Sequence, residues 1–547
     1  MTSRSDQARL QWHILVVFVT LGLVARSLRY SLQFPLWEDE AFLFMNMVGR
    51  SYADFLEPLR QFHQVAPVMF LWVEKAVTDV FGTSELSLRL FPYLCSVASL
   101  LLFTDLARRL LSGWAAVLAV ALLAMSYPAL RYAAEMKPYG VDLFAAVLLL
   151  WMWERWAAGH FGWLWAMVAA VPALIWLSFP AVFVAGGVSL AIFATLLRER
   201  RQADGQRNAL KLWFPWLVFN AVLVISFALS LFVLQRQFQW QGGYMATIWH
   251  NTFPPWEQPW KLPMWLLETH AGKFLAFPAG GKNFGSSLTL VLCVLGSIRV
   301  WRSDRRLAVF LLLFGPALLQ LIAAGMHRYP YGESSKFAMP LAPAICLLAG
   351  AGAAWMAKVL SKKDRARQRI INFWLIFFLV VGVGSMARDV IRPYKTLSDE
   401  RARGWAQWFW QDAPHRAVVI GMKSDLGLVF SPQTFQDLNW SAMYLANQQI
   451  YSSRHRRREP PDWSQVSAAR PLWIVEYRDP QAFYYYEAYE RWLEHLSLQF
   501  EIGQRMIFPM SRYRKNERDL IKVDEIHVLP LVPLRKAFKM EDLLLPE

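Results

Sequence analysis

Apolar runs long enough to cross a lipid bilayer recur along the first two thirds of this chain and constrain its fold most strongly. A helix needs about 20 apolar residues to span about 30 Å of hydrocarbon. Runs of this kind include 12–30, 114–130 (the third along the chain), 213–234 and 307–325. Because backbone amides in hydrocarbon must bond within the protein, each run is predicted to be a helix. The chain is therefore predicted to be a mainly α polytopic membrane protein with about eleven transmembrane helices.

The charge of the chain indicates how these helices are oriented. The formal net charge is +16, but the basic residues lie in short clusters between apolar runs, at 108–109, 198–201 and 362–369. Clusters of this kind stay on the cytoplasmic side of a membrane. The N-terminus is therefore predicted to be cytoplasmic, membrane lipids are the expected surroundings, and no nucleic-acid partner is predicted.

Two loops interrupt the predicted transmembrane domain, which covers residues 1–387. The first, 35–90, is expected outside the cytoplasm with helices lying along the interface. The second, 235–286, is rich in Trp, Pro, Gly and His, a composition that suits a loop over the mouth of a cavity. A further break is predicted at 178–180, where Pro180 divides one long apolar stretch into two spans.

The pattern changes beyond Arg388, where hydropathy drops. Short β-branched runs at 417–421 and 472–476 predict buried strands, and helices are expected around 405–410 and 482–498. Residues 388–547 are therefore predicted to form a soluble extracytoplasmic α/β domain.

Three consecutive acids, Glu38, Asp39 and Glu40, directly follow the first apolar segment. A carboxylate at a bilayer edge is costly unless it faces water, a cation or a protein cavity, which favours a functional site. The alternative is the solvated first turn of a helix that begins after Pro35, since acids interact favourably with the positive end of a helix. Position alone leaves both interpretations open.

The other outward-facing loops combine acids, bases and tyrosines. Glu135 lies close to Lys137 and Tyr139, and a second group is formed by His327, Arg328, Tyr331, Glu333 and Lys336. Lys and Arg can neutralise a phosphate leaving group while a carboxylate accepts a proton. Taken singly, each basic residue can be explained by contact with lipid headgroups. Their convergence with the acids favours chemistry on a phosphorylated, lipid-carried substrate.

Five short motifs over residues 10–360 resemble the GT-C superfamily of glycosyltransferases, in particular the protein O-mannosyltransferases (glycosyltransferase family 39) and the lipid A aminoarabinose transferases. In chain order they are Asp39-Glu40 with Phe42, the 66–71 stretch that begins Ala-Pro, the 81–92 stretch with Arg89, Glu135-Met-Lys-Pro-Tyr139, and Lys336-Phe-Ala-Met-Pro340. They occur in the expected order and on the expected side of the membrane.

The resemblance implies a membrane enzyme that moves a sugar from a polyprenyl-phosphate carrier to an acceptor hydroxyl outside the cytoplasm, with inversion. Asp39 matches the catalytic carboxylate and would act as general base. Glu38 and Glu40 would position it, tune its pKa or reach a divalent cation. The carrier phosphate would be held by Lys137, Arg328, Lys336, Tyr139 and Tyr331, with Arg89 as a further candidate. A structural ion pair is the alternative for Arg89.

A divalent cation is a possible cofactor by the same resemblance, with His250 and His63 as candidate ligands. The position before Pro67, where relatives carry an acid, Lys or His, holds Val65-Ala66 here. Lys137 and Lys336 stand where relatives often carry Arg, and Lys cannot form a two-pronged contact with phosphate. Metal dependence is therefore left open.

Two other functions compete with glycosyl transfer. A polyprenyl-lipid or glycolipid transporter would line its pathway with intramembrane charges, yet the predicted spans carry few ionisable residues. A cell-envelope assembly protein would explain the C-terminal domain but not the acids. The acceptor is left open among lipid, glycan and protein, and the expected location is the bacterial cytoplasmic (inner) membrane.

Overall fold

The computed structural model describes two compact units, one made of residues 1–33 and 51–388 and the other of residues 34–50 and 389–547. Within them, the described residues are 4–47, 49–59, 64–202, 209–241, 249–302, 306–391, 403–404, 418–423, 450–451, 472–478, 493–511 and 523–534.

The described part of the first unit contains helices, turns and loops, and no strand. Its helices are α1 (Arg4–Ser31), α3 (Val68–Phe81), α4 (Glu85–Leu110), α5 (Trp114–Ala124), α6 (Tyr127–Arg131), α7 (Tyr139–Ala157), α8 (Gly162–Leu177), α9 (Ala181–Gln202), α10 (Ala209–Gln241), α11 (Leu262–Thr269), α12 (Ser287–Trp301), α13 (Arg306–Gly325), α14 (Ala342–Leu360) and α15 (Asp364–Ile391). Short 3-10 turns lie at Ala53–Leu56, Tyr132–Ala134, His250–Thr252, Pro259–Lys261 and Ser335–Leu341, and a π turn at His270–Phe274.

Every predicted apolar segment falls on a helix, which confirms a polytopic membrane protein. Among the described residues, seven helices are long and apolar enough to cross a membrane, or eight if α5 and α6 form one span. The apolar helices α8 and α12 are shorter, so the count of eleven stays a prediction. The predicted break at 178–180 is confirmed, since α8 ends at Leu177 and α9 begins at Ala181.

The third segment was predicted as one span over 114–130 and differs in the structure. It bends by 50° between α5 and α6, where Met125 and Ser126 interrupt the helix. The peptide N–H of Tyr127 donates to the carbonyl of Pro278, at 2.6 Å. A bond to a loop more than a hundred residues away redirects the chain here, and a local apolar pattern cannot encode it.

Helix α14 lies at the centre of the unit, and the most apolar part of its span is entirely buried. Small residues at 349–354 allow its neighbours to approach closely. A Cβ atom at Gly350 would overlap the backbone of α5, and one at Gly352 would overlap the backbone of α12. Close backbone approach therefore requires glycine at both positions.

A fully buried arginine joins α1 to two later helices. Arg26 has no exposed surface, and its guanidinium donates to Ser96 Oγ of α4 at 3.0 Å and to the Ala124 carbonyl at 3.1 Å. Ala124 is the last residue of α5, where carbonyls lack partners within the helix. The positive charge also faces the negative end of the α5 dipole. This charge within a predicted span thus caps a helix.

The second unit contains helix α2 (Glu38–Met45) and one sheet. The strands are β1 (Val418–Lys423), β2 (Ile450–Tyr451), β3 (Leu472–Arg478), β4 (Phe500–Ile502), β5 (Met506–Ser511) and β6 (Val523–Pro533). The order is β2-β1-β3-β6-β4, and β5 also pairs with β6.

Both predicted strands of the second unit are confirmed. They form β1 and β3, which pair in parallel with Val418 opposite Leu472, whereas β6 runs antiparallel to β3. Of the predicted helices, residues 493–497 are helical, and the stretch 405–410 lies outside the described residues. The boundary at 387/388 and the extracytoplasmic location stay predictions.

Candidate functional site

The three acids of the predicted catalytic stretch occupy the first turn of α2. The side chain of Glu40 is fully buried, and its Oε2 accepts a hydrogen bond from the peptide N–H of Trp37, at 3.2 Å. This contact is half of a capping box, in which the third helical residue reaches back to the N-cap. Asp39 is half-buried, and the side chain of Glu38 lies outside the described residues. Glu40 therefore holds the helix, and Asp39 is the stronger candidate for chemistry.

A lysine surrounded by aromatic rings lies in the first unit. The Nζ atom of Lys336 is 4.2 Å from the ring centroid of Trp249, 5.3 Å from that of Phe337 and 5.7 Å from that of Tyr139. Aromatic faces are electronegative and favour an ammonium in its charged form. The structure thus brings together Tyr139 and Lys336, two of the predicted phosphate ligands, and adds Trp249, which was not predicted.

The loop that carries Lys336 is fixed by a buried glutamine. Gln320 of α13 donates its Nε2 to the carbonyls of Pro330 and Phe337, at 3.1 and 3.0 Å. The peptide N–H of Tyr331 donates to the carbonyl of Thr252, at 3.1 Å. Through these bonds α13 sets the position of the 327–337 loop and attaches it to the 249–252 turn.

The basic residues of the 131–137 stretch are bonded within the protein. Lys137 is only 5% exposed, and its Nζ donates to Gln64 Oε1 at 2.7 Å. Arg131 and Glu135 are also buried and form an ion pair of 2.8 Å. Gln64 directly precedes the Val65-Ala66 position, so the Lys137 contact attaches the 131–139 stretch to the segment that leads into α3.

Tyr331 bonds to a histidine that the sequence analysis did not single out. His270 Nδ1 lies 2.7 Å from the Leu266 carbonyl, and Nε2 lies 2.9 Å from the Tyr331 hydroxyl. Because a carbonyl only accepts, Nδ1 carries the proton in the neutral ring and the Tyr331 hydroxyl donates to Nε2. Burial lowers the pKa of His270 and raises the pKa of Tyr331. The pair joins α11 to the 327–337 loop.

The remaining predicted ligands have separate surroundings. Arg89 is buried near the start of α4. This helix begins at the cap formed by Ser84 and Ser87. Arg328 is exposed. No group of three His, Cys, Asp or Glu residues suited to a metal occurs in the described part of the chain. His250 is exposed in its 3-10 turn, and His63 lies outside the described residues.

A cavity of about 920 Å³ lies within the first unit, lined by His250, Trp256, Trp265, Glu268, Lys282 and Glu333 among others. Most of these residues belong to the 235–286 loop, for which the composition predicted a position over a cavity mouth.

Sequence reasoning missed Gln64, Trp249 and His270. Only the Trp- and His-rich composition of the second loop pointed to the last two. The pairing of Lys137 with Gln64 spans 73 positions of the chain, so no local pattern signals it.

Comparison with known proteins identifies the fold of this chain. Residues 65–231 match the family described as dolichyl-phosphate-mannose-protein mannosyltransferase. The crystal structure of ArnT from Cupriavidus metallidurans bound to undecaprenyl phosphate is similar over 97% of this chain and 99% of that one, with a TM-score of 0.53 and 13% sequence identity. The chain has the GT-C fold. The predicted resemblance to this superfamily is thereby confirmed.

A second GT-C structure is similar over a smaller share of its own length. The apo oligosaccharyltransferase of Archaeoglobus fulgidus shares 12% identity and a TM-score of 0.48, over 80% of this chain and 64% of that chain. Comparison with the curated proteins yields no match.

Proposed function

We propose that this GT-C protein transfers a sugar from a polyprenyl-phosphate carrier to an acceptor hydroxyl, with inversion at the anomeric carbon. The observation that carries the proposal is the ArnT likeness over nearly the whole chain, because that structure holds undecaprenyl phosphate. The description of the family matched by residues 65–231 also names a lipid-phosphate sugar donor, dolichyl-phosphate-mannose. Lys336 in its aromatic surroundings supplies a charge of the sign that such a donor needs.

The reaction assigns distinct roles to the two kinds of charged residue. The acceptor oxygen attacks the anomeric carbon, the bond from that carbon to the phosphate oxygen breaks, and the acceptor proton passes to Asp39. The carrier leaves as a polyprenyl phosphate with increased negative charge, which Lys336 and Arg328 stabilise. A single displacement of this kind inverts the anomeric carbon. Glu40 orients the helix that carries Asp39.

No step is routed through a metal ion. Among the residues that the structure describes, no three His, Cys, Asp or Glu side chains are grouped so that they could hold a divalent cation. Charge stabilisation at the leaving phosphate is assigned to Lys and Arg side chains instead.

The proposed setting is the bacterial inner membrane with a cytoplasmic N-terminus and an extracytoplasmic second unit. The support is the multi-pass architecture together with the cytoplasmic bias of basic clusters. A membrane-impermeant thiol reagent tests this orientation. Cysteine introduced at Ser5 should react only after the cytoplasmic side is opened.

The function is tested with Asp39→Asn in purified protein reconstituted in nanodiscs. The donor is the polyprenyl-linked lipid fraction of cells labelled with radioactive sugars, and transfer to envelope lipids, glycans and proteins is measured. Loss of the base should slow transfer at least about 100-fold. Asp79→Asn is the matched control, since Asp79 bonds to Lys75 and Tyr52 on the surface. Near-normal transfer by Asp39→Asn overturns the base assignment, and carrier translocation without transfer overturns the proposed function.

A further inference from the structure

The 920 Å³ cavity has a lining that the proposed transfer step does not use. Its volume lies near the upper end of the range of about 300–1,000 Å³ seen for small-molecule sites. A cavity of this size exceeds what a single ion needs, so the chemistry of its lining indicates the ligand.

The lining contains equal numbers of acidic and lysine side chains. The cavity is bordered by three carboxylates, three ammonium groups and three amides, namely Glu257, Glu268, Glu333, Lys261, Lys273, Lys282, Asn251, Gln258 and Asn283. A site for a polyanion would carry an excess of positive charge, which is absent among the described lining residues. Carboxylates and amide oxygens accept from hydroxyl groups, and lysines and amide nitrogens donate to them. This balance suits an uncharged ligand with many hydroxyl groups.

Two indole rings in the lining are held in fixed positions. Trp256 is 52% exposed and donates its Nε1 to the Gly325 carbonyl, at 2.8 Å. Trp265 donates to the Asn251 carbonyl, at 3.0 Å. Because each ring N–H is bonded to the protein, little ordering is needed when a ligand packs on the ring. Flat apolar rings beside hydroxyl-binding groups match the two chemical faces of a sugar ring.

The helix that borders the cavity also has an exposed apolar face. Trp260, Met264 and Leu267 are exposed along the turn Pro259–Lys261 and helix α11. Their spacing places them on one side. A short amphipathic helix with this pattern lies in the membrane interface. The cavity residues Phe284 and His327 also lie within a few residues of the ends of α12 and α13. Both features suit a cavity that opens at the boundary between lipid and water.

We propose that this cavity binds the saccharide portion of a lipid-anchored acceptor. The proposal rests on the proposed transfer function and names the class of acceptor. The 249–250 dipeptide connects the two parts of the site, since Trp249 contacts Lys336 and His250 lines the cavity. An acceptor sugar held here lies beside the group assigned to the donor phosphate. Its lipid chain stays in the bilayer while its hydroxyl groups bond to the cavity.

The experiment measures transfer kinetics in nanodiscs with Glu268→Gln and Lys282→Met. Both side chains are exposed, so these variants should fold normally. The labelled donor is the polyprenyl-linked fraction described above, and the acceptor probes are the glycolipid extract of the envelope, the oligosaccharides released from it, and delipidated envelope proteins. We expect wild type to label the glycolipid, and each variant to raise the half-saturating glycolipid concentration about tenfold with the donor KM unchanged. Glu57→Gln, an exposed carboxylate that does not line this cavity, should behave as wild type.

Each other outcome overturns a specific statement. If wild type transfers no label to any probe, the proposed function fails and not the cavity assignment alone. If transfer occurs but the variants keep the wild-type glycolipid concentration dependence, the saccharide site is wrong. If the donor KM rises instead, the cavity holds the donor sugar. If released oligosaccharides or proteins are labelled as efficiently as glycolipid, the acceptor is not lipid-anchored.

Discussion

Lys137 and Lys336 carry the same charge and were both predicted to bind the carrier phosphate, yet their surroundings differ. Lys137 lies buried in the 131–139 region and donates to Gln64. Lys336 lies half-buried in the 327–337 region with its ammonium over aromatic rings. A buried lysine bonded to a distant glutamine holds two segments together. A half-buried lysine over ring faces is suited to a ligand, so the surroundings separate two roles that the residue type does not.

The largest effect is expected from Lys336→Met, which removes the charge assigned to the leaving phosphate. Loss of one such stabilising group should lower kcat/KM about 100-fold, while the unfolding midpoint changes little. Initial transfer rates and thermal unfolding in detergent measure the two quantities. Lys336→Arg is the conservative control and should stay within about tenfold of wild type, because a guanidinium also packs on aromatic rings. Full activity in Lys336→Met would remove this lysine from the site.

Lys137→Met should show the opposite behaviour, because it removes a buried partner of Gln64. The expected loss is about 1–3 kcal/mol of unfolding free energy, measured by thermal or denaturant unfolding of the purified protein. The double variant with Gln64→Leu should be less unstable than the sum of the single variants. If Lys137→Met keeps its stability and loses activity as Lys336→Met does, both lysines bind the ligand and the contrast fails.

Tyr331→Phe tests whether the 327–337 region also contains groups that only hold structure. The change removes the hydroxyl that donates to His270 and should cost about 1 kcal/mol of stability, with transfer rates nearly unchanged. A lower unfolding midpoint with normal kcat/KM supports a purely structural role. A large loss of activity at normal stability would return Tyr331 to the list of phosphate ligands.

The smallest effect is the pH dependence that His270 contributes to stability. Burial lowers its pKa in the folded protein below the ordinary value of 6.5. The neutral ring is therefore favoured by folding, and its contribution is present above about pH 6.5 and is lost as pH falls toward the folded-state pKa. Unfolding midpoints from pH 8 to pH 5 should fall more steeply for wild type than for His270→Gln. Equal slopes would show that His270 does not titrate in this range.

The apolar segments and strands β1 and β3 were predictable because each follows from a local pattern, apolar length for spans and β-branched runs for strands. The bend between α5 and α6 was not, since it depends on a bond from Tyr127 to Pro278. In the candidate site, the sequence predicted that the loops carrying Lys336 and Tyr139 lie on one face of the membrane. The two side chains are in contact in the structure. The partners of Lys137 and Tyr331 depend on packing between segments that lie far apart in sequence.

Arg26 has a consequence for how the chain enters the membrane. One carbonyl partner, Gly22, belongs to α1 itself. The other two, Leu123 and Ala124, follow Arg26 by 97 and 98 positions, so they do not yet exist when α1 leaves the ribosome. Until α5 is made, the guanidinium must stay near the headgroups or be solvated by water drawn into the bilayer. The first helix therefore reaches its final depth only after the third apolar segment has inserted. The order of synthesis and the order of assembly differ at this arginine.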